Sequence, residues 1–144
     1  MPNDDTIKLL KECNAGTKMA VKSLKEVEAK IKDNEMKNTI KKSIEIHEKV
    51  GDKTHELLMK YNDTEKDASS VAEVMSWMKI NINYMLDSSD SEISKLMMDG
   101  CNMGIQSISR YLNQYKSAEK EIKDLVNDLV EEEEKLMKNL RIYL

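Results

Sequence analysis

Apart from Pro2, this 144-residue chain contains no proline, and along most of it apolar or small residues return every three or four positions. Proline lacks an amide proton and clashes with the preceding helical turn, so its absence leaves long helices unbroken. A return of 3.6 residues, rather than two, selects helix over strand. From 5 to 32 the rhythm passes through Ile7, Leu10, Asn14, Thr17, Val21, Leu24 and Ile31, opening after an Asp4 or Asp5 cap. It breaks at Asp33 and Asn34. It resumes at Met36, Ile40, Ser43 or Ile44, His47, Val50, Thr54, Leu57 and Tyr61, which predicts a second helix over 35–61.

A polar connector ending in capping residues leads to a third predicted helix, 69–87, whose sequence is apolar on almost every side. Ser89 and Glu92 stand at capping-box spacing before a fourth helix, marked by Ile93, Met97, Gly100, Gly104, Ile108, Tyr111 and Tyr115. Ser117 is the expected cap of a fifth. That helix turns Ile122, Leu125, Leu129, Leu136, Leu140 and Tyr143 inward and carries acids early and bases late, as the helix dipole favours. The expected fold is all-α: one domain over 1–144, an up-down four-helix bundle of two long hairpins with a shorter crossover helix, the alternative being a plain five-helix array. All four glycines fall inside predicted helices, where each costs about 1 kcal/mol relative to alanine. Close backbone approach, with Gly16 level with Gly51, is the expected reason.

Composition narrows the function. Residues 1–66 carry 14 basic and 13 acidic groups and residues 67–144 carry 9 and 14, with nearly every lysine beside an acid at helical spacing. No basic face emerges for phosphates to track, so nucleic acid is not an expected partner. Neither is a membrane: no apolar run of spanning length exists, and the opening MPNDD has no signal-peptide pattern. A cytoplasmic location is expected. The two cysteines, Cys13 and Cys101, lie in apolar helical patterns without a nearby base, and no nucleophile elbow or phosphate loop occurs. An enzyme is the less favoured expectation.

Both histidines fall within SIEIHEKVGDKTHELL, residues 43–58. Eight residues of helix separate His47 from His55, a rise of about 12 Å, so the two rings cannot share one ion. His47 falls on the inner stripe and His55 off it. In the last helix LVEEEEKLM turns Glu132 or Glu133 inward, because consecutive carboxylates fan out around a helix. With IEIHEK and LVEEEEKLM on two antiparallel helix pairs, the chain resembles the ferritin-like helical-bundle superfamily. The resemblance implies a di-metal centre built from a Glu on each of two helices and a Glu-x-x-His step on each of the others. The chain departs from that pattern: Ile44 stands three residues before His47, Asp52 precedes the off-stripe His55, and the last helix has no histidine. What remains is a reduced site at His47 with Glu132 or Glu133, either a ligand pair for iron, manganese or zinc or a hydrogen-bonded polar layer that sets helix register.

The segment 69–87 has more apolar surface than a crossover can bury on one side. Trp77, Met78 and Tyr84 are its candidate interface residues, with a second copy of the chain as the expected partner. The expected function is that of a non-catalytic, dimeric binding or structural module. The alternative is a metal-binding protein with the reduced carboxylate–histidine site.

Overall fold

The computed structural model describes residues 2–63 and 88–144. The predicted helix at 69–87, with Trp77, Met78 and Tyr84, lies outside the described residues. Four α-helices are described: α1 (Asp4–Glu28), α2 (Asn34–Lys60), α3 (Asp90–Gln114) and α4 (Lys120–Leu140), with a 3-10 turn Arg141–Tyr143 after α4 and no strand among the described residues.

The helix starts reveal which polar side chains do the capping. Ser89 caps α3 as the sequence suggests, accepting from the Glu92 amide at 3.2 Å, and Asp33 caps α2, accepting from the Met36 amide at 2.8 Å. At α1 the expected Asp4 or Asp5 is replaced by Asn3, whose Oδ1 accepts from the Thr6 amide at 2.9 Å. Ser117 does not cap α4 either; Glu119 holds that position without a side-chain cap bond. Both differences share a cause, because these residues join the two hairpins. Asn3 Nδ2 donates to the Ser117 carbonyl at 2.7 Å, the Ser117 amide donates to Asp5 at 2.9 Å, and the Glu119 amide donates to Thr6 Oγ1 at 2.8 Å. α1 ends earlier than expected, at Glu28, and Ile31 is buried in the turn that follows. α2 closes on Asn62, which takes φ 57°, a left-handed conformation that asparagine tolerates.

These bonds place the start of α1 and the α3–α4 turn at one pole, here called the lower. At the upper pole the Asp90 carboxylate accepts from the amides of Lys32 and Asp33, both at 2.9 Å, so α3 begins beside the α1–α2 turn. Lys11 pairs with Asp63 at 2.7 Å, which puts the end of α2 at the lower pole. The helices therefore run up, down, down, up. Among the described helices α1 packs mainly on α2 and α3, and α4 on the same two, and these pairs are antiparallel. The chain leaves α2 at the lower pole and enters α3 at the upper one, about 40 Å away.

Most of the expected inner-stripe positions are buried, with Ile7, Val21 and Tyr61 half-buried. Leu10, Asn14, Thr17, Leu24 and Ile31, and Met36, Ile40, His47, Val50, Thr54 and Leu57, are all buried. The core divides in two. An upper cluster centres on Met36, Ile40, Ile93 and Leu140, and a lower one on Leu9, Leu10, Leu58, Ile122 and Val126. A Cβ on Gly51 would touch the Thr17 Cγ2 methyl at 3.4 Å, and one on Gly16 would meet no described atom within 4 Å. Packing among the described residues thus does not require Gly16.

Asp90→Ala removes the clamp at the upper pole. Its expected effect is a lower thermal midpoint together with faster amide exchange at Lys32 and Asp33, read by hydrogen-exchange NMR, while the amides of 117–119 stay protected.

Candidate functional site

Between the two apolar clusters lies a polar waist. His47, on the inner stripe of α2, is fully buried, and its Nε2 hydrogen-bonds directly to Glu133 Oε1 of α4. Its Nδ1 donates to the Ser43 carbonyl one turn earlier at 2.7 Å, which fixes the ring and its tautomer. Glu133 is 8% exposed. Cys101 of α3 lies close enough to the same carboxylate to feel its charge, and Ser43 lies beside Glu132. Three helices therefore converge on one carboxylate.

Burial alone would lower the pKa of His47, but the hydrogen bond and charge of Glu133, with the Ser43 carbonyl and Glu132, outweigh it and hold the imidazole above its usual range. Glu132 is pushed up, first by burial and also by Glu133, against the pull of His47, Lys135 and Ser43. Burial raises both thiols, that of Cys13 to about 12, and at Cys101 the charge of Glu133 adds to it. Thiols held neutral in this way are poor nucleophiles.

Of the residues the sequence singled out, His47 and Glu133 are brought together, Glu132 is half-buried next to them, and His55 is exposed on another face of α2. Trp77, Met78 and Tyr84 lie outside the described residues. Cys101 and Ser43 join the site unannounced. Cys101 follows Met97 by four residues and precedes Gly104 by three, so the inner rhythm of α3 carries the signal that it faces the waist.

A di-metal centre fits these residues poorly. Nε2 of His47 is occupied by its bond to Glu133, and Gly16 and Ala20 of α1 and Gly100 and Gly104 of α3 line the same cavity where that pattern needs carboxylates. Among the described residues no three or more His, Cys, Asp or Glu side chains group into a metal-holding cluster.

Beside the pair runs a cavity of about 90 Å³, walled by α1, α3 and α4 and lined mainly by apolar side chains, with His47 and Glu133 on its flank. No protein-family model matches the chain, and no similar curated protein or solved structure is found. No described helix is long and apolar enough to cross a membrane.

Removing one partner of a buried ion pair strands the other charge, so His47→Leu is expected to destabilise the fold by about 3–5 kcal/mol, and Glu133→Leu added to it to restore most of that, measured by urea unfolding. Stability also follows pH. Because the fold raises the imidazole's pKa, the stability it contributes is complete below the ordinary value of 6.5 and drains away as pH climbs through the folded value. Between pH 6.5 and about pH 7.5, where free thiols are still largely protonated, the thermal midpoint should fall, and His47→Gln should flatten that slope.

Proposed function

We propose that the chain is a non-catalytic, ferritin-like helical-bundle protein that works as a dimeric binding module, holding its ligand in the interior of the bundle. The observation that carries this reading is the pairing of a closed polar waist with an apolar cavity. His47 and Glu133 are bonded to each other and both thiols are held neutral, so the groups able to do chemistry are occupied, while the space beside them is walled by apolar side chains. The up, down, down, up order with antiparallel lateral neighbours supports the ferritin-like part, because that arrangement needs one long connection between the second and third long helices. A crossover helix at 69–87 would make it. The dimeric part rests on the sequence alone, through Trp77, Met78 and Tyr84.

One observation favours a second reading, a metal-binding protein with a reduced site. The Ser43 carbonyl holds the Nδ1 proton of His47, which leaves Nε2 as the interior nitrogen beside the Glu133 carboxylate, a nitrogen and oxygen pair of the kind that binds iron, manganese or zinc. Elemental analysis of protein purified without chelators, alongside His47→Ala, separates the two. A binding module gives equal, sub-stoichiometric metal in both proteins. Stoichiometric iron, manganese or zinc in the wild type that disappears in His47→Ala would replace the first reading with the second. Light scattering at micromolar concentration tests the assembly: a dimer that dissociates in a Trp77→Ala, Tyr84→Lys double variant is expected, and a wild-type monomer would remove the dimeric part.

A further inference from the structure

The volume of the interior cavity and the chemistry of its wall bound the ligand that a binding module would hold. Pockets for drug-sized molecules and cofactors occupy about 300–1,000 Å³. The cavity beside α1, α3 and α4 has a volume of about 90 Å³. Nucleotides, flavins, sugars and long acyl chains are therefore too large for it. An apolar cavity of about 150 Å³ holds one benzene, so in proportion this one has room for about four non-hydrogen atoms.

The described wall gives an ion little to pair with. Among its residues there is no lysine or arginine, and its carboxylates are Glu12 and Glu133. Glu133 is bonded to His47, and Glu12 and Tyr111 have interaction partners of their own. Burial holds the Cys101 thiol in its neutral form. An ion entering here would lose hydration without gaining a free countercharge, and a strongly hydrogen-bonding molecule would meet a His47–Glu133 pair already closed on itself. Water gains little either, since a buried water needs about two to four polar partners. Leu9, Met19, Leu24, Met97, Leu129 and Leu136 supply apolar surface instead. Such surface attracts through dispersion, to which the polarizable thioethers of Met19 and Met97 add.

From the volume and the wall together, resting on the binding-module reading, we infer that the cavity holds one small uncharged apolar molecule, a hydrocarbon of about three or four carbons or a gas atom such as xenon, gripped by dispersion among Met19 of α1, Met97 of α3 and Leu129 of α4. Size and charge are both selected against: a six-membered ring is too large, and an ammonium or carboxylate finds no partner.

NMR of the full chain, labelled with carbon-13 at its methionine methyls, tests this with xenon, propane, benzene and propylammonium as probes. Xenon and propane are each expected to shift the methyls of Met19 and Met97 saturably, while the exposed Met59 responds only in proportion to the amount added. Benzene should bind at least tenfold more weakly than propane, and propylammonium should cause no saturable shift. Ala20→Leu, which extends a side chain from the half-buried α1 wall, should weaken propane at least tenfold with the thermal midpoint kept. Ser107→Leu repeats the blockade from the α3 wall should Ala20→Leu fail to fold. Absence of saturable shifts with both xenon and propane, benzene bound as tightly as propane, saturable binding of propylammonium, or undiminished propane binding in the folded blocking variant would each overturn the inference. Its failure is distinguishable from failure of the underlying reading: stoichiometric metal lost with His47→Ala removes the binding module, whereas a metal-free protein indifferent to xenon and propane removes only this ligand class.

Discussion

The arrangement of this bundle depends on a salt bridge with almost no water around it. His47 and Glu133 are 86 residues apart in sequence and come from different hairpins, so their contact cannot form until α1–α2 has docked on α3–α4. Burial of either group alone would be severely unfavourable, and mutual attraction repays that only when the geometry is right. Here the Ser43 carbonyl holds one side of the ring and the Cys101 thiol lies close to the carboxylate, leaving the pair little freedom to slide. A purely apolar interface between hairpins would tolerate a shift of one turn. A single imidazole that must find a single carboxylate does not, and register along the bundle follows from that.

The poles reinforce the same alignment by different means. At the upper pole one carboxylate, Asp90, grips two consecutive amides of the opposite hairpin; at the lower pole Asn3, Asp5 and Thr6 grip the turn 117–119. Each uses a side chain to satisfy backbone groups that a helix end leaves open. With three fixed levels along its axis, the bundle can keep glycines and serines facing its interior without collapsing onto them. Polar bonds secure position, and the space between the two apolar clusters is relieved of that task.

Much of this was legible in the sequence. The buried positions of α2 follow the seven-residue rhythm closely, because burial on a long helix is a matter of angle and angle is set by spacing, whereas α1 also buries Leu9, Cys13 and Val27 beside its expected stripe. The same geometry turned His47 inward, His55 outward and one of Glu132 and Glu133 toward the axis. What spacing could not supply was contact between hairpins. Asn3 and Glu119 occupy cap positions expected of Asp4 or Asp5 and of Ser117 because those side chains, or their backbone, bond across the lower pole, and no local pattern encodes a partner more than a hundred residues away. Gly16 illustrates the same limit, since level pairing with Gly51 suggested contact where no described atom would lie within 4 Å of an added Cβ.

The placement of the cysteines has a further consequence. Cys13 packs in the lower cluster and Cys101 in the upper one, each on a different hairpin, and burial keeps both protonated. Neither sulfur can react with an alkylating reagent until its own half of the bundle opens. Labelling kinetics at the two positions would therefore time the breathing of each half separately, giving the chain a native pair of clocks that requires no engineered probe.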